Sequence, residues 1–265
     1  MIPRSETLTA EGRRMRNRIM WGVGIVVALV ALAFAFVVLD RSTVVNGPDG
    51  SSYVTAATGL AALHDTLERE GRSAVRIDRP LDPSFTAELD TYLVSDAEFG
   101  QYQPGELEAL ERFVENGGSV WILGVPPRAL AEGFELDVDW VGSRAGTVPV
   151  LEALPNTETV EGSRFGQFDP DHSGEPVAGT DQAHLVVRFA RGAGSVVLVA
   201  DSSLAHNATV DRADNVDLFG DLAGSTIGFD EYRHGYGRPD STGLLEAAPG
   251  NWEGALIVGA IALVV

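Results

Sequence analysis

The sequence predicts an α/β domain built on an open, doubly wound, mostly parallel sheet, tethered by an N-terminal transmembrane helix. Strand-length apolar runs alternate with stretches of helical period through the middle of the chain. One run, Ser119 to Leu123, is apolar at successive positions, as a strand covered on both faces by helices must be. Near the N-terminus, Ile19 to Leu39 supplies 21 residues without a charge, enough to cross a hydrocarbon layer of roughly 30 Å as a helix.

Taken in order, Arg13, Arg14, Arg16 and Arg18 precede the uncharged segment and Asp40 follows it. The positive-inside rule then puts residues 1–18 in the cytoplasm and the chain after Asp40 outside the cell membrane, with Trp21 at an interface. Ala-x-Ala matches occur within the segment, but it stays apolar past both, which favours an uncleaved anchor over a signal peptide. An extracytoplasmic α/β domain is expected over 45–237. Ala56, Leu60, Leu63 and Leu67 recur at helical spacing, and Gly71 ends that helix. Ser73 to Ile77 and Thr91 to Ser95 read as strands. Pro104 opens a second helix with Glu106 and Glu108 in its first turn, and Asn116-Gly117-Gly118 closes it. Residues 125–183 are rich in Pro, Gly and Asp, and read as an irregular insertion with short strands. His184 to Phe189 and Gly194 to Ala200 form strands joined at Arg191-Gly192, Asn215 to Leu222 a short helix, and Thr226 to Phe229 a last strand. Gly254 to Val265 is again apolar. Its 12 residues reach only about 18 Å as a helix, so 252–265 is read as the first part of a second transmembrane helix, with Trp252 at the interface; the alternative is a short tail packed on the domain or dipping into one leaflet.

Composition narrows the function. The net charge is −19 and all 19 basic residues are arginine. Residues 40–250 hold 35 acidic side chains against 14 arginines. Such a surface is suited to high salt, where the screening length falls to about 3 Å and carboxylates no longer repel strongly; the alternative is an ordinary acidic protein from a GC-rich genome, which also favours arginine over lysine. It lacks the basic stripe that nucleic acid requires. With no cysteine, disulfides, thiolate nucleophiles and cysteine metal sites are excluded.

Two clusters carry candidate chemistry. Asp201-Ser202-Ser203 follows an apolar strand, where ligands collect in open α/β sheets. Ser202 or Ser203 with His206 as base would make a nucleophile, but no Gly-x-Ser-x-Gly elbow is present, and Asp-Ser-Ser also reads as a helix cap. Asp230, Glu231 and His234 follow the last strand. Joined by Asp201, Glu231 and His234 are the candidate metal ligands; the alternative is that they bond to backbone or to Arg233 and close the domain edge. Asn207 and Asn215 complete the candidate ligand-binding set. His64, His172 and His184 read as incidental, and Asp169 with Asp171 as a solvated acidic loop. The sequence specifies no cofactor.

The succession Gly59-Leu60-x-Ala62-Leu63, Leu67-x-x-x-Gly71, Leu110-x-x-Phe113-Val114-x-x-Gly117-Gly118, Val199-Ala200-Asp201-Ser202-Ser203-Leu204, Asn207, Asp214-Asn215 and Phe229-Asp230-Glu231-Tyr232-x-His234-Gly235 resembles the family called domain of unknown function 4350. The resemblance covers roughly residues 50–237. It implies membrane anchoring and a fold like class I glutamine amidotransferases, a relative of the flavodoxin-like sheet, in the form found in halophilic archaea. It also implies company with AAA ATPases, so partners would be the membrane and other membrane proteins or an AAA ATPase-linked complex. The amidotransferase nucleophile is a cysteine, which this chain lacks. The expectation is therefore a non-catalytic binding or scaffold module. The alternative is a metal- or water-dependent hydrolase using Asp201, Glu231 and His234.

Overall fold

Five strands run parallel through the body of the sheet: β1 (Ser73–Ile77), β2 (Thr91–Ser95), β3 (Ser119–Leu123), β10 (Gly194–Val199) and β11 (Thr226–Asp230). Their spatial order is β1-β11-β2-β3-β10. The computed structural model describes residues 45–82, 88–96, 102–142, 146–163 and 166–237. The expected segments 1–18, 19–39 and 252–265 lie outside them; among the described residues no helix is long and apolar enough to cross a membrane.

The apolar runs explain the centre of the sheet. All five residues of β2 are buried, as are four of the five in β3. Helix α1 (Ala61–Arg69) turns Leu63, His64 and Leu67 inward. It begins later than the spacing from Ala56 predicts, because residues 45–60 form a non-helical strap described below. Helix α2 (Pro104–Glu115) starts where expected: Pro104 needs no partner for its missing N–H, and Gln103 and Glu106 cap each other reciprocally. It ends at Gly117, whose φ of +105° suits glycine. A Cβ on Gly118 would come within 2.3 Å of the Phe113 ring, so this turn lies flat against the helix.

The insertion is more ordered than its composition suggests. It holds α3 (Arg128–Gly133), β4 (Trp140–Val141), β7 (Gln167–Phe168) and β8 (Glu175–Thr180). β9 (Ala183–Arg191) pairs antiparallel with β10 and carries β7 and β8, extending the sheet. β5 (Thr147–Pro149) and β6 (Thr159–Glu161) form a separate ribbon. The result is a mixed sheet with a parallel body.

Connection direction places the helices. The path β2–α2–β3 steps one way across the sheet, whereas β10 reaches β11 through α4 (Asn215–Leu222) by stepping back past β3 and β2. Right-handed crossovers running in opposite directions put α2 and α4 on opposite faces. α1 touches α4 and α3 touches α2, so each joins its neighbour's layer. Trp121 of β3 packs against Phe219 of α4, with ring centroids 5.3 Å apart. The chain thus leaves β3 toward one face and β10 toward the other, which opens the carboxyl edge of the sheet between them.

Candidate functional site

A crevice of about 480 Å³ occupies that opening. Asp96 follows β2, Gly124 and Val125 follow β3, and Ala200, Asp201 and Ser202 follow β10; all line it. In open α/β sheets this divergence of neighbouring connections is where ligands bind. Gly124 (φ +88°) keeps the floor open, since a Cβ there would sit 2.7 Å from Asp96 Oδ1. Asp96 has a left-handed backbone (φ +37°), and its Oδ2 lies 3.2 Å from His206 Nε2. Asp201, 2% exposed, accepts from the Ser203 N–H at 3.0 Å and starts the short turn Ser202–Ala205. Ser203 Oγ accepts in turn from the Ser163 N–H, tying the insertion to the crevice wall. From β4, Trp140 reaches over to donate its indole N–H to the Ala200 carbonyl at 3.1 Å.

The remaining wall comes from the strap at residues 45–60, which contributes Asp49 and Thr58. Its shape is set by distant side chains rather than by its own periodicity. Asn207 Oδ1 accepts from the Ala62 N–H at 2.7 Å, while its Nδ2 donates to the carbonyls of Val54 and Ala56 at 2.8 and 2.7 Å. Thr58 donates to Asp49, and the Gly50 N–H to the Thr58 carbonyl. Asn207 is thus a clamp. Asn215 plays the same part for β6: it accepts from the Glu161 N–H and donates to the carbonyls of Glu161 and Thr209.

The second predicted cluster lies at the end of β11 and is closed. Glu231, 1% exposed, accepts from Ser51 Oγ and from the Ser52 N–H, both at 2.6 Å. Arg233 donates to Glu106 at 2.6 Å, lies 3.8 Å from Asp230, and stacks 4.2 Å above the Tyr102 ring. Burial pushes the Asp230 carboxyl above its ordinary range, and the Arg233 guanidinium opposes that shift. His234 is 4% exposed, and its Nδ1 has no partner among the described residues. β2 and β3 stand between β11 and β10, so the two strand ends emerge about 14 Å apart at a strand spacing of ~4.8 Å. Asp201 and Ser202 line the crevice; Glu231, His234, Asn207 and Asn215 do not.

Reading the sequence did not single out Asp49, Thr58, Asp96 or Trp140 as site residues. Asp96 carried a usable signal, since it follows an apolar strand just as Asp201 does. The other three sit in segments without periodicity. Elsewhere, His64 Nδ1, Asp65 and Glu68 bring three donor atoms within 4.8 Å of one another, and His172 Nε2 meets His184 Nδ1 at 2.7 Å.

A family model described as Domain of unknown function (DUF4350) matches residues 52–219. None of the curated proteins matches the chain. Among solved structures, the fold is similar to part of an exo-β-1,4-mannosidase from Opitutaceae bacterium strain TAV5, at 18% identity and a TM-score of 0.44 over 61% of this chain and 30% of that one. A cytoplasmic protein from Salmonella typhimurium LT2 matches at 14% identity and 0.44, covering 61% and 85%. A putative GMP synthase protein from Thermoplasma acidophilum matches at 15% and 0.34, covering 54% and 75%. The chain spans less than a third of the mannosidase, and none of these scores carries an activity over.

Proposed function

Because the chain belongs to this family, whose description assigns no activity, its role is read from its own surface, and we propose a membrane-anchored, extracytoplasmic binding module. Its ligand enters the crevice between the carboxyl ends of β3 and β10, and its amidotransferase-like sheet serves as a non-catalytic frame. The crevice, built where the chain diverges to opposite faces, is the observation that carries this reading. Support for a non-catalytic role comes from how the reactive groups are used. Glu231 spends both oxygens on the strap, His206 faces Asp96 rather than a serine hydroxyl, and there is no cysteine. Anchoring is supported by the uncharged run at 19–39 and the arginines before it. The excess of carboxylates and the absence of lysine support a halophilic setting. Partners on this reading are other membrane proteins or an AAA ATPase-linked complex.

Ligand-observed NMR with the full chain in lipid nanodiscs tests the crevice. A panel of cationic, neutral and anionic solutes is expected to give saturable binding that Ser202→Phe abolishes while circular dichroism stays unchanged. Binding that survives the substitution rejects the site. For topology, protease added to wall-stripped cells should remove an epitope placed after Asp40 and spare one before Arg13.

A further inference from the structure

We infer that the ligand of this crevice presents a guanidinium group; the inference rests on the crevice being the binding site proposed above. Asp49, Asp96 and Asp201 line one concavity, and His206 is the one basic side chain among its described lining residues. A neutral ligand would displace water from the accessible carboxylates of Asp49 and Asp96 without balancing their charge, with buried Asp201 adding to the same field. The occupant is therefore cationic.

Geometry then separates a metal ion from an organic cation. A divalent ion draws its ligand atoms to about 2.0–2.6 Å from a single point. Among the described residues, the three-residue group whose donor atoms approach within 4.8 Å is His64, Asp65 and Glu68, away from the crevice. The crevice carboxylates are spread more widely than one ion's shell, and the volume of about 480 Å³ is that of an organic-ligand pocket.

Trp140 decides between guanidinium and ammonium. Its indole N–H is fixed to the Ala200 carbonyl. One side of the ring lies against Gly166, where a Cβ would fall 2.3 Å from Nε1. The residue is 39% exposed overall and lines the crevice. A pinned aromatic face beside carboxylates offers the two surfaces a guanidinium engages together, by stacking and by paired N–H donation. An ammonium is more strongly hydrated and takes only one of them well. Thr58 holds Asp49 and His206 holds Asp96, and a carboxylate with about four acceptor sites keeps capacity for the ligand.

Titration calorimetry on the full chain in nanodiscs would use Nα-acetyl-arginine amide, the isosteric citrulline derivative, the lysine derivative and free arginine. The arginine derivative should bind about tenfold or more tightly than citrulline, and more tightly than lysine. Asp96→Asn, whose side chain suits the same left-handed backbone, and Trp140→Leu should each weaken it by a similar factor, with melting curves showing the fold retained. Preference for free arginine would identify a small metabolite, and equal or tighter binding of the blocked amide an arginine of a polypeptide; either supports the inference. Citrulline binding as tightly as arginine, or indifference to Asp96→Asn, overturns it. If a neutral or anionic solute binds and Ser202→Phe removes it, the crevice reading survives and the guanidinium does not. If no solute binds, both fall.

Discussion

At the end of β11, Asp230, Glu231, Arg233 and His234 are packed to between 1% and 4% exposure. Further along the same edge, after the ends of β2, β3 and β10, similar residue types line an open crevice. Both groups stand at the carboxyl edge of one parallel body. The difference lies in what covers them. Near β11 the strap presents Ser51 and Ser52, which bond both oxygens of the Glu231 carboxylate and bury it, and Arg233 is shared between Glu106 and Asp230. Near β10 the strap presents Asp49 and Thr58, which bond to each other and leave the concavity open. Chemical type therefore does not mark a site here; the site is where the chain leaves acceptors facing a space.

Substitutions can break this contrast. Arg233→Met should have the largest effect, because it strands two buried carboxylates, Glu106 and Asp230, at a cost of about 3–5 kcal/mol in denaturant unfolding. A loss below ~1 kcal/mol would show that the closed cluster is not the structural one. Asn207→Ala comes next: it removes three bonds to the strap and start of α1 and should cost about 2–3 kcal/mol, with weaker ligand binding because Asp49 and Thr58 lose their support. Asp96→Asn, in the open group, should change stability by less than about 1 kcal/mol while altering binding. A larger destabilisation than that of Arg233→Met would invert the comparison.

The smallest effect sharpens the contrast at the opposite edge. Asp90 accepts from Ser225 Oγ, the Ser225 N–H and the Thr226 N–H, and these bonds, the serine hydroxyl foremost, hold its carboxyl below the ordinary range. A depressed folded-state value means the contribution is present above the unfolded value of about 3.9 and is lost as pH falls through the folded one. Asp90→Asn should therefore lower stability slightly at pH 7, by under ~1 kcal/mol given the group's exposure, and the gap to the parent should close in acid. A gap that widens below pH 3 would contradict this.

The body of the sheet is legible in the sequence because each strand is a short apolar run with turn residues at its ends. β1, β2, β3 and the helix at Asn215–Leu222 follow the predicted bounds for that reason. Ala56 departs from the predicted helix because its spacing fits one, while Asn207, 151 positions away, takes its carbonyl into the strap instead. The site is legible only where it touches strands, at Asp201 and Ser202. Asp49, Thr58 and Trp140 come from segments positioned by clamps rather than by period. Glu231 is ambiguous between ligand and brace in the sequence because its partners lie 179 and 180 positions upstream.

The strap has a mechanical consequence. Its first described residue, Val45, is stitched to Thr55 and Ala56 by three hydrogen bonds, and beyond them the same segment is bolted to Glu231 at one point and to Asn207 at another. A pull applied to the chain ahead of Val45 is carried into this stitching before it can reach the sheet. Asp49 and Thr58 lie inside the loaded stretch, so tension on the leading chain would reshape the crevice wall while the strands behind it stayed in register.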